Sequence, residues 1–277
     1  MGKILCFNEF LESISVDQNG FVGLSIDKEP SRSADSISTF QPNRLRSTAD
    51  KSKTLGNRVY YAYSYESSSI VTDLLKSIKG SGSSKLDLAR LDLFVEKTAK
   101  YMAEHLKDQS FDILAAPKSS APLVKLFAYK LGKHLGIEVV YDSFAKFKLD
   151  IPAGKEESIQ YVIDKFIDLD QFGKTFRVVD EKERKEALRK LARGIISSIN
   201  KSGKIELKAL YKPTAKYAAN FLKPEVHTEL KFLGKKVLVV DDSLSSGGTM
   251  MEIFRQLNKL GAHSMSGAVM FKQESRK

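Results

Sequence analysis

The amino-acid sequence predicts an α/β fold, a central parallel sheet flanked by helices. Residues 111–116 form a compact apolar run, 121–135 carry helical spacing ended by Gly136, and 137–144 return to an apolar run, which together make a βαβ unit. A second unit repeats the order, with a strand at 236–240, a helix at 248–260 stopped by Gly261 and a last strand at 265–271. Strands and helices that alternate in this way close into a parallel sheet with helices on its faces and right-handed crossovers.

Taken from the start of the chain, the first hundred residues differ from the rest. They are rich in Ser, and short apolar stretches at 20–24 and 59–63 predict short strands. Between them, residues 27–57 are polar, carry Pro30 and Pro42, and show neither a helical nor a strand period, which predicts a long surface excursion. Ser81-Gly82-Ser83-Ser84 reads as a connector. After it Leu88, Leu91, Phe94, Val95, Thr98, Met102 and Leu106 recur at helical spacing and predict a helix over about 87–107. Residues 1–84 are therefore expected to be an accessory region of unclear fold, and 85–277 the α/β core. Beyond the first βαβ unit the alternation breaks, and 156–167 and 181–200 look helical, the latter with Ala187, Leu188, Leu191, Ile195, Ile196 and Ile199 apolar among charges. This predicts a helical insertion at about 150–210. No internal repeat is visible.

A chain of 277 residues with 42% hydrophobic content can bury a sizeable core. Its longest apolar runs, such as 237–240 and 113–116, fall far below the roughly 18–20 residues that a membrane-spanning helix needs. Glu9 interrupts the start before an apolar stretch of signal-peptide length builds up, so a cytoplasmic location without membrane partners is expected. Cys6 is the only cysteine, which excludes an internal disulfide and a cysteine-based zinc site. The formal charge of +11 favours polyanions and phosphorylated small molecules alike. Nucleic acid is a possible partner by charge, but the basic residues are scattered and no zinc-finger, basic-zipper or RNA-recognition signature accompanies them.

The most informative run is Val237-Leu238-Val239-Val240-Asp241-Asp242-Ser243-Leu244-Ser245-Ser246-Gly247-Gly248-Thr249-Met250. Four β-favouring apolar residues suit a strand buried on both faces, and two adjacent carboxylates follow at its carboxyl end, where open α/β sheets bind ligands. Ser245 to Thr249 supply hydroxyls and glycines whose backbone N–H groups can close around a phosphate, with a helix N-terminus behind them. The carboxylates would repel that phosphate and are better used on neutral hydroxyls, as with the acid that grips ribose in dinucleotide folds. The ligand these residues predict is a sugar phosphate. The run holds no Gly-Lys-Ser/Thr, which disfavours nucleoside triphosphate hydrolysis.

Residues 239–249 resemble the signature of the type I phosphoribosyltransferases, which bind 5-phosphoribosyl-1-pyrophosphate (PRPP). The resemblance implies a Rossmann-like core for 85–277. It implies that Asp241 and Asp242 hold the ribose hydroxyls and contribute to catalysis and to Mg²⁺ binding, and that Ser243, Leu244, Ser245, Ser246, Gly247, Gly248 and Thr249 line the 5-phosphate site. The family binds pyrophosphate through the loop after the first core strand, here Pro117-Lys118-Ser119-Ser120-Ala121-Pro122. Lys118 would neutralise the anion, and Ser119 and Ser120 would let the backbone approach it. Family members often carry glycine there and often a strained cis peptide; this chain has no glycine in the loop. A mobile loop that closes over the reacting centre commonly brings a basic residue. Lys146 and Lys148 resemble the residues that open it, with Lys146 the catalytic candidate, and Lys212 and Lys216 are rivals.

The reaction so implied displaces pyrophosphate from the anomeric carbon of PRPP by a nitrogen of a nucleobase-like acceptor, with Mg²⁺ assisting the leaving group. Enzymes for 6-oxopurines usually place an acid three positions after the second acid of the pair, and this chain has Ser245 there, which argues against hypoxanthine or guanine. The sequence ends soon after Phe271, so the hood over the acceptor is expected from residues 1–110, from the insertion, or from both. A homodimer is expected. The alternatives are a non-catalytic PRPP-binding regulator, for which no helix-turn-helix is evident in residues 1–80, and transfer to a macromolecular or modified-base acceptor gripped by the basic insertion. A PRPP synthase would need two related halves.

Overall fold

A computed structural model describes residues 14–16, 21–24, 38–40, 57–66, 76–77, 85–86, 88–119, 122–146, 148–177, 179–200, 203–205, 217–244 and 247–274. Its strands are β1 (Ile14–Val16), β2 (Phe21–Leu24), β3 (Ser38–Phe40), β4 (Arg58–Glu66), β5 (Lys85–Leu86), β6 (Ile113–Ala115), β7 (Glu138–Val140), β8 (Phe144–Lys146), β9 (Leu222–Pro224), β10 (Lys236–Leu244) and β11 (Ser264–Glu274). The helices are α1 (Leu88–Leu106), α2 (Pro122–Leu135), α3 (Lys155–Phe166), α4 (Leu169–Thr175), α5 (Glu181–Ser197) and α6 (Gly248–Lys259), with a 3-10 helix at Val226–Phe232.

The central sheet has six strands in the order β3-β4-β11-β10-β6-β7. All neighbours in it are parallel except β3, which lies antiparallel on β4. The parallel sheet between two helical layers is the fold that the sequence predicts. β10 sits inside it, with Val239 opposite Gly267 of β11 and Ala115 of β6. Pleating sends alternate residues to opposite faces. Leu238 and Val240 pack with α1, α2, Leu114 and Ala268, while Val237 and Val239 pack with α6, Ile113, Met265 and Val269. Each of these four β10 residues is fully buried. Burying an aliphatic side chain contributes about 1.5–3 kcal/mol, so the run that looks two-faced in sequence holds both layers together.

The helix signals act as expected. α1 buries Leu91, Phe94, Val95, Met102 and Leu106, the apolar spacing that predicts it. Gly136 and Gly261 end α2 and α6 with φ of 68° and 75°, the left-handed backbone that favours glycine after a helix.

Other elements differ from the expectation. Residues 137–144 are two strands, β7 and β8, parted by a turn at Tyr141 and Asp142. β10 continues through Leu244, so the acid pair lies inside the strand rather than beyond it. The short strand expected at 59–63 is a nine-residue member of the central sheet, β4, because β11 offers it a full parallel edge. β3 falls within the stretch read as an excursion, and its three residues are too few to show a period.

β8 and β9 form an antiparallel ribbon, Phe144 opposite Pro224 and Lys146 opposite Leu222, and α3 to α5 lie between them in the chain. Asp168 and Asp180 cap α4 and α5, each accepting from a backbone amide three residues on. Ile159, Val162, Phe166, Phe172, Ala192 and Ile195 of these helices join the apolar cluster on the α6 face. Among the described residues no helix is long and apolar enough to cross a membrane.

Candidate functional site

The chain leaves β6 through α2 outward to β7, and leaves β10 through α6 in the opposite direction to β11. α2 and α6 therefore lie on opposite faces, and a crevice opens between the carboxyl ends of β6 and β10. Such a reversal of strand order is where doubly wound sheets bind ligands. The acid pair and the loop after β6 stand on its two sides.

Asp241 is half-buried and Asp242 is 7% exposed. The amide of Asp242 donates to Asp241 Oδ1 at 2.8 Å, and Ser243 Oγ donates to Asp242 Oδ1 at 2.7 Å. Each carboxylate thus accepts a local bond from the residue that follows it. Directly after Ser245 and Ser246, which lie outside the described residues, Gly247 adopts φ 76° and precedes α6 as its N-cap. The N-cap residue of α6 is Gly247 itself, which has no side chain to cap with. A helix begins with amides that have no intrahelical acceptor and with the positive end of its dipole, so such a start favours an anion. Gly248 is buried and Thr249 half-buried at this start.

On the other side, Pro117 is buried, Lys118 exposed and Ser119 half-buried, while Ser120 lies outside the described residues. The amide of Lys118 donates to the Phe144 carbonyl at 2.8 Å, so its own N–H is committed and only its side chain reaches outward. The carbonyl of Ala116 accepts from both Ser143 N at 2.9 Å and Ser143 Oγ at 3.0 Å. Every peptide bond among the described residues is trans.

Lys146 is exposed at the end of β8, on the ribbon that leaves the crevice. Lys148 turns elsewhere. Its stem lies against Gly203, where a Cβ would stand 2.9 Å from Lys148 Cγ, and the amide of the next residue, Leu149, donates to Gly203 O at 2.8 Å. Lys212 and Lys216 lie outside the described residues. Two features escape the sequence. Lys272 of β11 places its ammonium 4.9 Å from the centre of the Tyr61 ring, and Tyr61 shares a row of the sheet with Val269 and Asp241. On α6, the fully buried Glu252 accepts from Arg255 and, at 2.7 Å, from Gln256, while Arg255 reaches Asp168 at 3.2 Å. Burial pushes the Glu252 carboxyl above its ordinary range, against the pull of Arg255 and Gln256. An i, i+3 and i+4 pattern of Glu, Arg and Gln is the one sequence sign of that network.

Among the described residues no group of three or more His, Cys, Asp or Glu side chains could hold a metal. The donor set at the crevice is two carboxylates, which suits a hard cation only if ligand oxygens and water complete its shell.

These features define a doubly wound α/β domain with an anion-receptive mouth at its switch point. Residues 87–277 match the family model of the phosphoribosyl transferase domain, and the chain belongs to that family. It is similar to the adenine phosphoribosyltransferase of Albidiferax ferrireducens, 44% identical over 46 residues, 17% of this chain and 24% of that protein. The match thus spans about a quarter of that relative's length. It is also similar to the adenine phosphoribosyltransferase of a Thermotoga species, 30% identical over 122 residues, 42% of this chain and 69% of that protein. Among solved structures, the purine phosphoribosyltransferase from Pyrococcus horikoshii is similar at 15% identity and a TM-score of 0.33, over 65% of this chain and 84% of that one.

Proposed function

We propose that this protein transfers the 5-phosphoribosyl group of PRPP to a ring nitrogen of a purine-like base, releasing pyrophosphate. The observation that carries the reading is the acid pair near the end of β10, a few residues before the N-terminus of α6, which starts from the left-handed Gly247. Carboxylates and helix amides set side by side match a ligand with neutral vicinal hydroxyls at one end and a phosphate at the other.

In this reading Asp241 and Asp242 accept hydrogen bonds from the ribose hydroxyls. Ser245 to Thr249 and the first turn of α6 hold the 5-phosphate. Pyrophosphate lies across the crevice against Lys118 and the loop that follows it. The anomeric carbon is then fixed between the two anion sites, and the protein contributes orientation and charge stabilisation without a covalent intermediate. As the bond to pyrophosphate lengthens, positive charge grows on the ribose ring near the two carboxylates, while Lys118 and Lys146 face the negative charge of the leaving group. Mg²⁺, held by Asp241 or Asp242 together with substrate oxygens and water, would supply further charge neutralisation to the leaving group. Lys148, whose stem lies against Gly203, is a weaker candidate than Lys146 for the closing loop.

The relatives named above point to adenine as the first acceptor to try, and Ser245 in place of an acid agrees with a base that lacks a 6-oxo group. The segment between β8 and β9 is the proposed hood. A homodimer remains part of the reading and is checked by light scattering on the purified chain. The test of function is incubation with PRPP, Mg²⁺ and single purine, pyrimidine and pyridine bases, following pyrophosphate and nucleotide by mass spectrometry. Adenine converted to its nucleotide supports the proposal. Saturable PRPP binding without turnover of any base replaces it with a PRPP-binding regulator.

A further inference from the structure

The loop after β6 lacks glycine, yet its path from Ala116 to Lys118 is tightly defined, and the edge of the sheet beside it explains how. Ala116 N donates to Val140 O at 2.9 Å, Ser143 N to Ala116 O at 2.9 Å and Lys118 N to Phe144 O at 2.8 Å. The loop advances from Ala116 to Lys118 while the edge advances from Val140 to Phe144, so two extra residues, Tyr141 and Asp142, bulge outward. Bulges of this kind sit at sheet edges and re-aim the chain near active sites. Asp142 takes φ 50°, a left-handed conformation that Asp tolerates better than most residues, and its carboxylate accepts from Lys125 on the first turn of α2 at 2.7 Å.

Ser143, directly after the bulge, is fully buried and joins three pieces of chain. Its hydroxyl reinforces its amide on the Ala116 carbonyl at 3.0 Å. Its own carbonyl accepts from Glu225 N at 3.0 Å, at the entry to the 3-10 helix. The fully buried Thr228 secures that entry by donating to Glu225 O at 2.7 Å. From there the chain runs directly into β10 and the acid pair.

We propose that Ser143, with the bulge before it, is the positioning residue of the pyrophosphate loop. It fixes the Ala116 carbonyl, and through Phe144 the Lys118 amide, so that the Lys118 side chain presents to the anion without a glycine in the loop. The inference rests on the reading of that loop as the pyrophosphate site. Ser143 touches no ligand in this account and acts through the loop.

The test compares two probes on the full chain, inorganic pyrophosphate with Mg²⁺ and ribose 5-phosphate, by calorimetry, alongside the melting temperature. Because one intramolecular hydrogen bond is worth up to about a tenfold change in an equilibrium, Ser143→Ala, which keeps one of the two bonds on Ala116 O, should weaken pyrophosphate by about tenfold. Ribose 5-phosphate, held by β10 and α6, should bind as before. Asp142→Gly, which keeps the left-handed backbone, should retain pyrophosphate affinity, and Asp142→Val, which resists it, should lose it. Unchanged pyrophosphate binding in both Ser143→Ala and Asp142→Val, or equal loss of both probes, overturns the positioning role. A wild-type chain that binds ribose 5-phosphate but not pyrophosphate overturns the assignment of the loop itself, and one that binds neither overturns the reading of the whole crevice.

Discussion

Gly267 on β11 offers a quantitative probe of how the phosphate end of the crevice is built. A Cβ at this position would stand 2.9 Å from Met250 Sδ, 3.0 Å from Met250 Cε and 3.1 Å from Val59 Cγ2. Ordinary carbon contacts are about 3.5–4.0 Å, so Gly267→Ala creates an overlap of about 0.4–1.1 Å under the first turn of α6. Overpacking a core by a methyl group costs about 1–3 kcal/mol, and removing a glycine from a strand interior returns about 0.5–1 kcal/mol. The net destabilisation is about 0.5–2 kcal/mol, with a fall in Tm of about 2–4 °C for each kcal/mol. Because the displaced residue lies at the start of α6, ribose 5-phosphate should bind more weakly too. Gly132→Ala is the control. Its Cβ would stand 2.3 Å from Val139 Cγ2, between α2 and β7, so it should lower Tm and leave ribose 5-phosphate affinity unchanged. Thermal denaturation and calorimetry on both variants measure the two effects. Adding Met250→Ala to Gly267→Ala should cost less than the sum of the single changes, since the clash is shared. Additive costs, or equal ligand affinity in Gly267→Ala, would refute the placement of α6 by this contact.

Two further outcomes follow from the site. Lys118→Ala should weaken inorganic pyrophosphate while sparing ribose 5-phosphate and Tm, because the exposed side chain carries charge to the loop and its backbone amide bond to Phe144 survives; competition assays with the two anions check it. For Glu252, burial raises the folded-state pKa above the unfolded value. The linked stability is complete below the ordinary glutamate range and is lost as pH rises through the raised pKa. Glu252→Gln should therefore gain on the wild type as pH climbs through that window, measured by urea unfolding at acid and neutral pH, and a difference that does not change with pH would contradict the assignment.

The central strand and its ligand end are legible in the sequence because their causes are local. Val237 to Val240 must be buried on both faces, and the acids, small residues and glycines that follow have few other uses together. Gly136 and Gly261 mark helix ends by backbone conformation alone. The edge of the site is not legible. Val139, Val140, Tyr141 and Phe144 look like one strand, and only Asp142-Ser143 hints at the bulge. Ser143 gains its meaning from Ala116 and Glu225, partners far away in sequence. Likewise β4 becomes a core strand only through β11, and the Arg255 that donates to the buried Glu252 also reaches Asp168, far away in sequence.

The central claim is that the Asp241–Asp242 pair grips the ribose of PRPP. Calorimetric titration of PRPP with Mg²⁺ into the wild type and into Asp241→Asn combined with Asp242→Asn tests it most directly, with circular dichroism to verify the fold. The expected result is saturable binding by the wild type and none by a folded double variant. Equal affinity in the two proteins would contradict it.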